Sequence, residues 1–191
     1  ADRMLDMGFL PDIRRILKHV PDRQQTLFFS ATMPPPIARL SREMLRNPAT
    51  IAIQRKSAPA TGVNQAAWPV PSQLKPALLA ELVKSGKIRS VIAFTRTKHR
   101  AKRLAEQLSK AGHSAIGLQG NLSQNQRDRA MRGFRSRQYD VLVATDIAAR
   151  GIDVAQVSHV INYDVPSTPD FYTHRIGRTG RSEKQGTAYT F

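Results

Sequence analysis

From Leu74 to its last residue the chain alternates short apolar runs with segments of helical period, and this alternation narrows the possible folds more than any other feature. Leu74, Leu78, Leu79 and Leu82 share one helix face, and Ser90-Val91-Ile92-Ala93-Phe94 follows as a run of strand length. Ala101, Leu104, Ala105 and Leu108 mark the next helix, which Gly112 ends. Ser114 to Leu118 predicts a strand, Ser123-x-x-Gln126 the capping box of a further helix, and Asp140 to Ala144 another strand. Val157 to Tyr163 and Gly186 to Phe191 read as strands on either side of a helix capped by Thr168-Pro169. Strands alternating with helices imply βαβ units, hence an α/β fold with a largely parallel sheet covered by helices on both faces.

Ligands of such a sheet gather outside the carboxyl ends of its strands. Three polar clusters fall there: Thr95-Arg96-Thr97, Gln119-Gly120-Asn121 and Thr145-Asp146. Thr97 stands just before a helix, where its hydroxyl can cap the first turn and the free backbone N–H groups can bind phosphate; the two roles are compatible. Thr145 ends a buried strand, and its hydroxyl can cap the following helix or meet a ligand.

The first third is organised separately. Ile13, Ile16, Leu17 and Val20 follow Pro11 with helical spacing, and Ile37, Leu40, Met44 and Leu45 mark a second helix. Thr26-Leu27-Phe28-Phe29 predicts a buried strand that delivers the hydroxyls of Ser30 and Thr32 into a loop before Pro34-Pro35-Pro36, and Thr50 to Ile53 predicts another. Beyond Arg55 the composition turns to Lys, Ser, Ala, Pro, Thr, Gly, Asn and Gln without a period. The expected organisation is therefore a partial domain over 1–55, a linker over 56–72 and a second domain over 73–191. Trp68 is expected to pin the linker onto the second domain rather than to stack on a base.

Charge narrows the partners. Thirty Lys and Arg against 14 Asp and Glu give a formal charge of +16, which favours a polyanion, because each phosphate neutralised releases counterions. The chain has no cysteine, so neither a disulfide framework nor a Cys-based metal site is possible, and a reducing compartment, the cytoplasm, is expected. No apolar run approaches the roughly 20 residues of a membrane span, so no membrane partner is expected. The opening Ala1-Asp2-Arg3-Met4, without an initiator Met, suggests a piece of a longer protein.

The densest chemistry lies in His174-Arg175-Ile176-Gly177-Arg178-Thr179-Gly180-Arg181. Arg178 and Arg181, separated by Gly180, can face one anion, and guanidinium forks suit phosphoryl oxygens. Upstream, Asp153 follows Gly151 on an expected turn, where a carboxylate can accept hydrogen bonds from ribose hydroxyls. Arg127 opens an arginine-rich helix with Arg129, Arg132, Arg135 and Arg137, too many for one face, so several must be solvated.

Together with Ala144-Thr145-Asp146-Ile147-Ala148-Ala149-Arg150-Gly151-Ile152-Asp153, the arginine loop resembles the last two sequence motifs of the DEAD-box ATP-dependent RNA helicases. Phe94-Thr95-Arg96-Thr97-Lys98-His99 is most similar to their RhlE-like bacterial branch. The resemblance implies a RecA-like second domain from residue 73, preceded by the end of a first RecA-like domain. It further implies that Arg178 and Arg181 act as fingers on the γ-phosphate of ATP, that His174 links the loop to the opposite lobe, and that Asp153 contacts the ribose. Arg175 would hold the loop's shape, while Arg150 would pair with Asp146 or reach a ligand. Thr97, Gly120, Gln124, Arg127 and Thr145 would take the RNA backbone, and Ser30 and Thr32 would couple nucleotide state to unwinding. Ala1-Asp2 would be the last two letters of the Asp-Glu-Ala-Asp box. The sequence departs from the family form at Gln119, where the family has His.

No Gly-x-x-x-x-Gly-Lys-Ser/Thr occurs, so these 191 residues lack a loop to cradle the β and γ phosphates. The expectation is an ATP-dependent RNA helicase lobe, inactive alone, whose ATP and Mg²⁺ are held mainly by the rest of a first lobe. A non-catalytic RNA-binding module and a DNA-directed helicase or translocase are the competing classes. The expected strands near Leu27 and Ile51 lack neighbours in this chain, which raises self-association as a further possibility.

Overall fold

A computed structural model describes residues 1–2, 4, 8–21, 25–30, 33–52, 62–86, 88–149, 157–180 and 185–191. The chain divides into two compact units, Ala1–Arg55 and Lys56–Phe191.

In the first unit, helix α1 spans Leu10–Leu17 with Pro11 in its first turn, and α2 spans Pro35–Met44. Ile37 and Leu40 of α2 are buried. Arg14 of α1 sets its guanidinium fork on Glu43 of α2, with Nε and Nη2 donating at 3.2 and 2.9 Å. Both side chains are about half exposed, so the pair contributes little, ~0.2–1 kcal/mol. The two strands expected here do not form among the described residues: 25–30 and 49–52 carry no ladder. Leu27, Phe29 and Ile51 are 69%, 77% and 91% exposed. An apolar run becomes a strand only where a neighbour takes its backbone groups, and the described residues of this unit offer none.

The second unit is built on six parallel strands: β1 Val63–Ala67, β2 Val91–Phe94, β3 Ala115–Leu118, β4 Val141–Ala144, β5 His159–Asn162 and β6 Gly186–Thr190. Their order across the sheet is β1-β6-β5-β2-β4-β3. β2 and β4 are buried along their whole length, as central parallel strands must be. Helices α3 (Lys75–Lys84) and α4 (Lys98–Lys110) contribute Leu79, Leu104 and Leu108 to a core with Val91, Val143 and Ile161 on one face. On the other face α5 (Gln124–Arg135), α6 (Asp146–Ala149) and α7 (Pro169–Ile176) pack Phe134, Ala148 and Ile176 against Ile92, Leu142 and Val160. Each large side chain so buried stabilises the fold by ~1.5–3 kcal/mol before entropy is charged against it.

Local signals place the helix starts. Thr97 caps α4 by accepting from Arg100 N at 3.2 Å, Thr168 caps α7 by accepting from Phe171 N at 3.3 Å, and Ser123 and Gln126 form a complete capping box on α5. Gly112, at φ +86°, turns the chain after α4.

The segment expected to link the domains differs from that expectation in its second half. Val63–Ala67 is the edge strand β1, paired in register with Gly186–Thr190. Its Asn64 and Gln65 are exposed, so no apolar run announces it; the open edge of β6 selects it. Trp68 continues the attachment, donating from its backbone N–H to Thr190 O at 2.8 Å and stacking its ring on Tyr189 with centroids 4.4 Å apart.

Candidate functional site

Because all six strands run in the same direction, the loops that follow them leave one rim of the sheet. Thr95–Thr97 follows β2, Gln119–Asn121 follows β3, Thr145 and Asp146 follow β4, and Tyr163 and Asp164 follow β5. Four sets of polar contacts join these loops to one another and to α7.

Arg175 is the centre of this network. It is only 2% exposed, and its guanidinium clasps Asp146, Nε to Oδ1 at 2.6 Å and Nη2 to Oδ2 at 2.7 Å. Its Nη1 donates to Asp164 O at 2.6 Å and Asn162 Oδ1 at 3.2 Å, and its plane lies over Phe94, 5.1 Å from the ring centroid. A buried guanidinium costs several kcal/mol unless its donors are met, and these acceptors meet four of its five. The expectation that Arg175 shapes the loop agrees with this geometry, and Asp146 takes its partner from α7. Arg150, the other partner weighed for Asp146, lies outside the described residues.

Asp164 forms the second link. Its buried carboxylate accepts from Arg96 N at 2.8 Å and pairs with Arg100 at 2.9 Å, so the turn carrying Thr97 is held by the end of β5. Sequence reasoning missed both Asp164 and Arg100. The available signal was a carboxylate directly behind an apolar strand run, at the rim where the other clusters had been found.

The third and fourth links concern the glycine loop and α5. Lys98 Nζ donates to Asn121 Oδ1 at 3.1 Å, joining the Thr97 turn to the Gly120 loop. Gln119, 8% exposed, turns its amide oxygen back to accept from Asn121 N at 2.7 Å, giving the residue that departs from the family form a loop-shaping contact. A side chain at Gly120 would meet nothing within 4 Å, so room for a close approach from outside is left there. Arg127 Nη2 donates to Ala148 O at 3.1 Å, satisfying a carbonyl at the end of α6. Gln124 is exposed and donates to Asp128 Oδ1 at 2.9 Å. Thr145 is partly exposed, and among the described residues its hydroxyl makes no bond that caps α6.

The arginine turn grows out of the C-terminal end of α7. His174 is exposed on its last turn, and Arg178, partly exposed, donates from Nε to His174 O at 3.1 Å. Thr179 is buried, its hydroxyl donating to Val157 O at 2.6 Å with Ser158 O at 3.0 Å, which anchors the turn to β5. Gly180 sits at φ +67°, and a Cβ there would come within 2.6 Å of Val63 Cγ2, so only glycine lets the turn lie against β1. Arg181 and Asp153 lie outside the described residues. So does Thr32, whereas Ser30, in the first unit, accepts through its hydroxyl from Asp2 N at 3.2 Å. Among the described residues no three His, Asp or Glu side chains cluster as metal ligands, and no helix is long and apolar enough to cross a membrane.

Parallel sheet, polar rim and glycine-spaced arginine turn together define a RecA-like helicase lobe. The chain belongs to the DEAD-box helicases: residues 74–183 match the helicase conserved C-terminal domain and residues 1–40 match the DEAD/DEAH box helicase family. It is 44% identical over all 191 residues to the DEAD-box ATP-dependent RNA helicase CshA of Geobacillus kaustophilus, covering 41% of that relative. With the ATP-dependent RNA helicase CshA of Listeria monocytogenes the identity is 46%, over 37% of the relative. The chain thus spans about two fifths of the length of these curated relatives. A solved structure of S. cerevisiae Dbp5 L327V bound to RNA and ADP BeF3 matches all of this chain and 51% of that one, at 34% identity and a TM-score of 0.84.

Proposed function

We propose that this chain works as part of an ATP-dependent RNA helicase, in which its second unit completes a nucleotide site and forms half of an RNA track. Arg178 and Arg181 reach the γ-phosphate of ATP gripped by a RecA-like first lobe, His174 senses that lobe, and Asp153 holds the ribose. ATP, with Mg²⁺ held by the first lobe, supplies the phosphoryl group whose charge the arginines offset. Thr97, Gly120, Gln124, Arg127 and Thr145 bind the sugar-phosphate backbone, which makes recognition indifferent to base sequence. Ser30 and Thr32 couple nucleotide state to strand separation. The first unit, over 1–55, is the remainder of the first lobe, and the second lobe, expected from 73, takes in β1 and Trp68 as well; the protein works in the cytoplasm.

The observation that carries this reading is the network centred on Arg175. It connects α7, which bears His174 and leads into the turn of Arg178, to the strand-end loops bearing Thr97 and Thr145, so a phosphate at one end and RNA at the other bias the same buried contacts. Arg178 is partly exposed, with its Nε donating to His174 O at 3.1 Å.

The test is ATP turnover, with and without RNA, by the full-length protein that carries this segment. Arg178→Ala is expected to lower turnover by roughly 10³ while RNA binding persists. A normal rate removes Arg178 from the site, and stimulation by DNA in place of RNA moves the protein to the DNA-directed class. The 191-residue chain alone is expected to hydrolyse no ATP. Light scattering at high concentration tests its self-association through the exposed apolar residues near Leu27 and Ile51.

A further inference from the structure

We propose that the open edge of β3 is a docking groove for an extended, acidic peptide segment of a partner protein, which adds a strand to the sheet.

Among the described residues β3 pairs on one side only, with β4. In a parallel ladder alternate residues turn both backbone groups to the same neighbour. Asp140 N and Val141 N both donate to Ser114 O, so Ser114, Ile116 and Leu118 face β4, and Ala115 and Gly117 face outward. Ser109 Oγ donates to Ala115 O at 3.2 Å. Ala115 N–H and both backbone groups of Gly117 remain for an added strand.

These groups open into a groove of about 660 Å³ between α4 and α5. Its floor and walls are largely carbon, with Ala105 on the α4 side and Ile116 and Leu122 on the α5 side. An extended peptide sends alternate side chains to opposite faces, so one set would meet Ala105 and the other Ile116 and Leu122. α4 lies over Gly117, where a Cβ would be in ordinary van der Waals contact, 3.5 Å from Ala105 Cβ and 3.6 Å from Ala101 O.

Charge selects the occupant. Lys102, Glu106 and Lys110 line the groove on the α4 side, two cations against one carboxylate, and Lys110 has no acidic partner among the described residues. The Lys102 pair with Glu106 is long, at 3.9 Å, and both side chains are well exposed. Lysines on an edge repel a second copy of a chain of formal charge +16, and they attract a strand whose outward side chains are acidic. Nucleic acid is the competing occupant, because Gln119, Asn121 and Gln126 also line the groove, and competition by single-stranded oligoadenylate separates the two. The groove borders the proposed RNA loop, since Gln119 and Asn121 on either side of Gly120 are in its lining, but none of the residues proposed for ATP or RNA lines it.

The probe is a fluorescein-labelled heptapeptide alternating valine with glutamate, followed by fluorescence anisotropy with the 191-residue chain. Two control peptides replace glutamate by lysine or place proline at the centre. Saturable binding of the acidic peptide is expected, with slowed amide exchange at Ala115 and Gly117 and loss of binding by both controls. Lys110→Glu, an exposed position that leaves the fold intact, is expected to weaken the acidic peptide about tenfold, a loss of about 1.4 kcal/mol, and to admit the lysine peptide. The proposal is overturned by absence of saturation at ~1 mM peptide, by equal binding of the proline peptide, or by unchanged exchange at Gly117. Displacement of the peptide by single-stranded oligoadenylate overturns it too, by assigning the groove to nucleic acid.

Discussion

Arg175 and Asp146 hold each other through two parallel bonds, 2.6 and 2.7 Å long, across a separation of 29 residues in sequence. The guanidinium is almost wholly buried, while the carboxylate keeps about a quarter of its surface in solvent, 24%. Truncating the buried member leaves Asp146, Asp164 O and Asn162 short of a donor. Arg175→Met is expected to cost about 3 kcal/mol, read from urea unfolding of the 191-residue chain. Asp146→Asn in the same background should add less than it costs alone, the non-additivity of a shared contact.

Acid should weaken the second unit through His159. Its ring is half-buried beside Tyr189, centroids 5.9 Å apart, and burial pushes its pKa below the ordinary value of about 6.5. The unfolded chain therefore binds a proton that the folded chain resists. The contribution is full above the unfolded pKa and is lost as pH falls through the lower, folded one. Urea midpoints measured at ~pH 7.5 and ~pH 5 should differ less in His159→Gln than in the parent chain.

Arg127 is expected to serve two ends at once. Its contact with Ala148 O ties α5 to α6, and its remaining donors are proposed for an RNA phosphate. Arg127→Ala should lower stability by about 1 kcal/mol and weaken RNA binding for all sequences alike, reducing the salt slope by about one. Weakening confined to one sequence would point to base readout.

Gly133 is required by its neighbour. A Cβ at this position of α5 would stand 2.5 and 2.7 Å from Cε2 and Cδ2 of Tyr139. Alanine gains up to about 1 kcal/mol in helix propensity, yet overpacking costs about 1–3 kcal/mol, so Gly133→Ala should be destabilising. In a Tyr139→Ala background the same substitution should stabilise, and thermal melts of the four chains test the reversal.

The parallel sheet was legible because its central strands are buried on both faces, which leaves uninterrupted runs such as Val91–Phe94 and Val141–Ala144. Helix starts at Thr97, Ser123 and Thr168 were legible for a local reason: a cap is read within one turn of chain. Strand β1 was not, since Val63–Ala67 owes its pairing to β6, more than a hundred residues away. The reverse failure occurred at Leu27 and Ile51, where local apolarity predicted strands that found no ladder among the described residues. In the site, residue types and the shared rim were readable, whereas the clasp of Arg175 on Asp146 and the reach of Asp164 to Arg96 and Arg100 depend on packing between distant elements.

The pairing of β1 with β6 bears on how the second lobe can be dissected. A clone begun at residue 73, where the compositional boundary invites a cut, would discard β1 and Trp68 together. It would bare the flank of β6 and strip Tyr189 of its stacking partner. Such a truncated lobe would carry a sticky margin of its own making, and any oligomer it formed in the test tube would report the choice of start codon rather than the biology of the helicase.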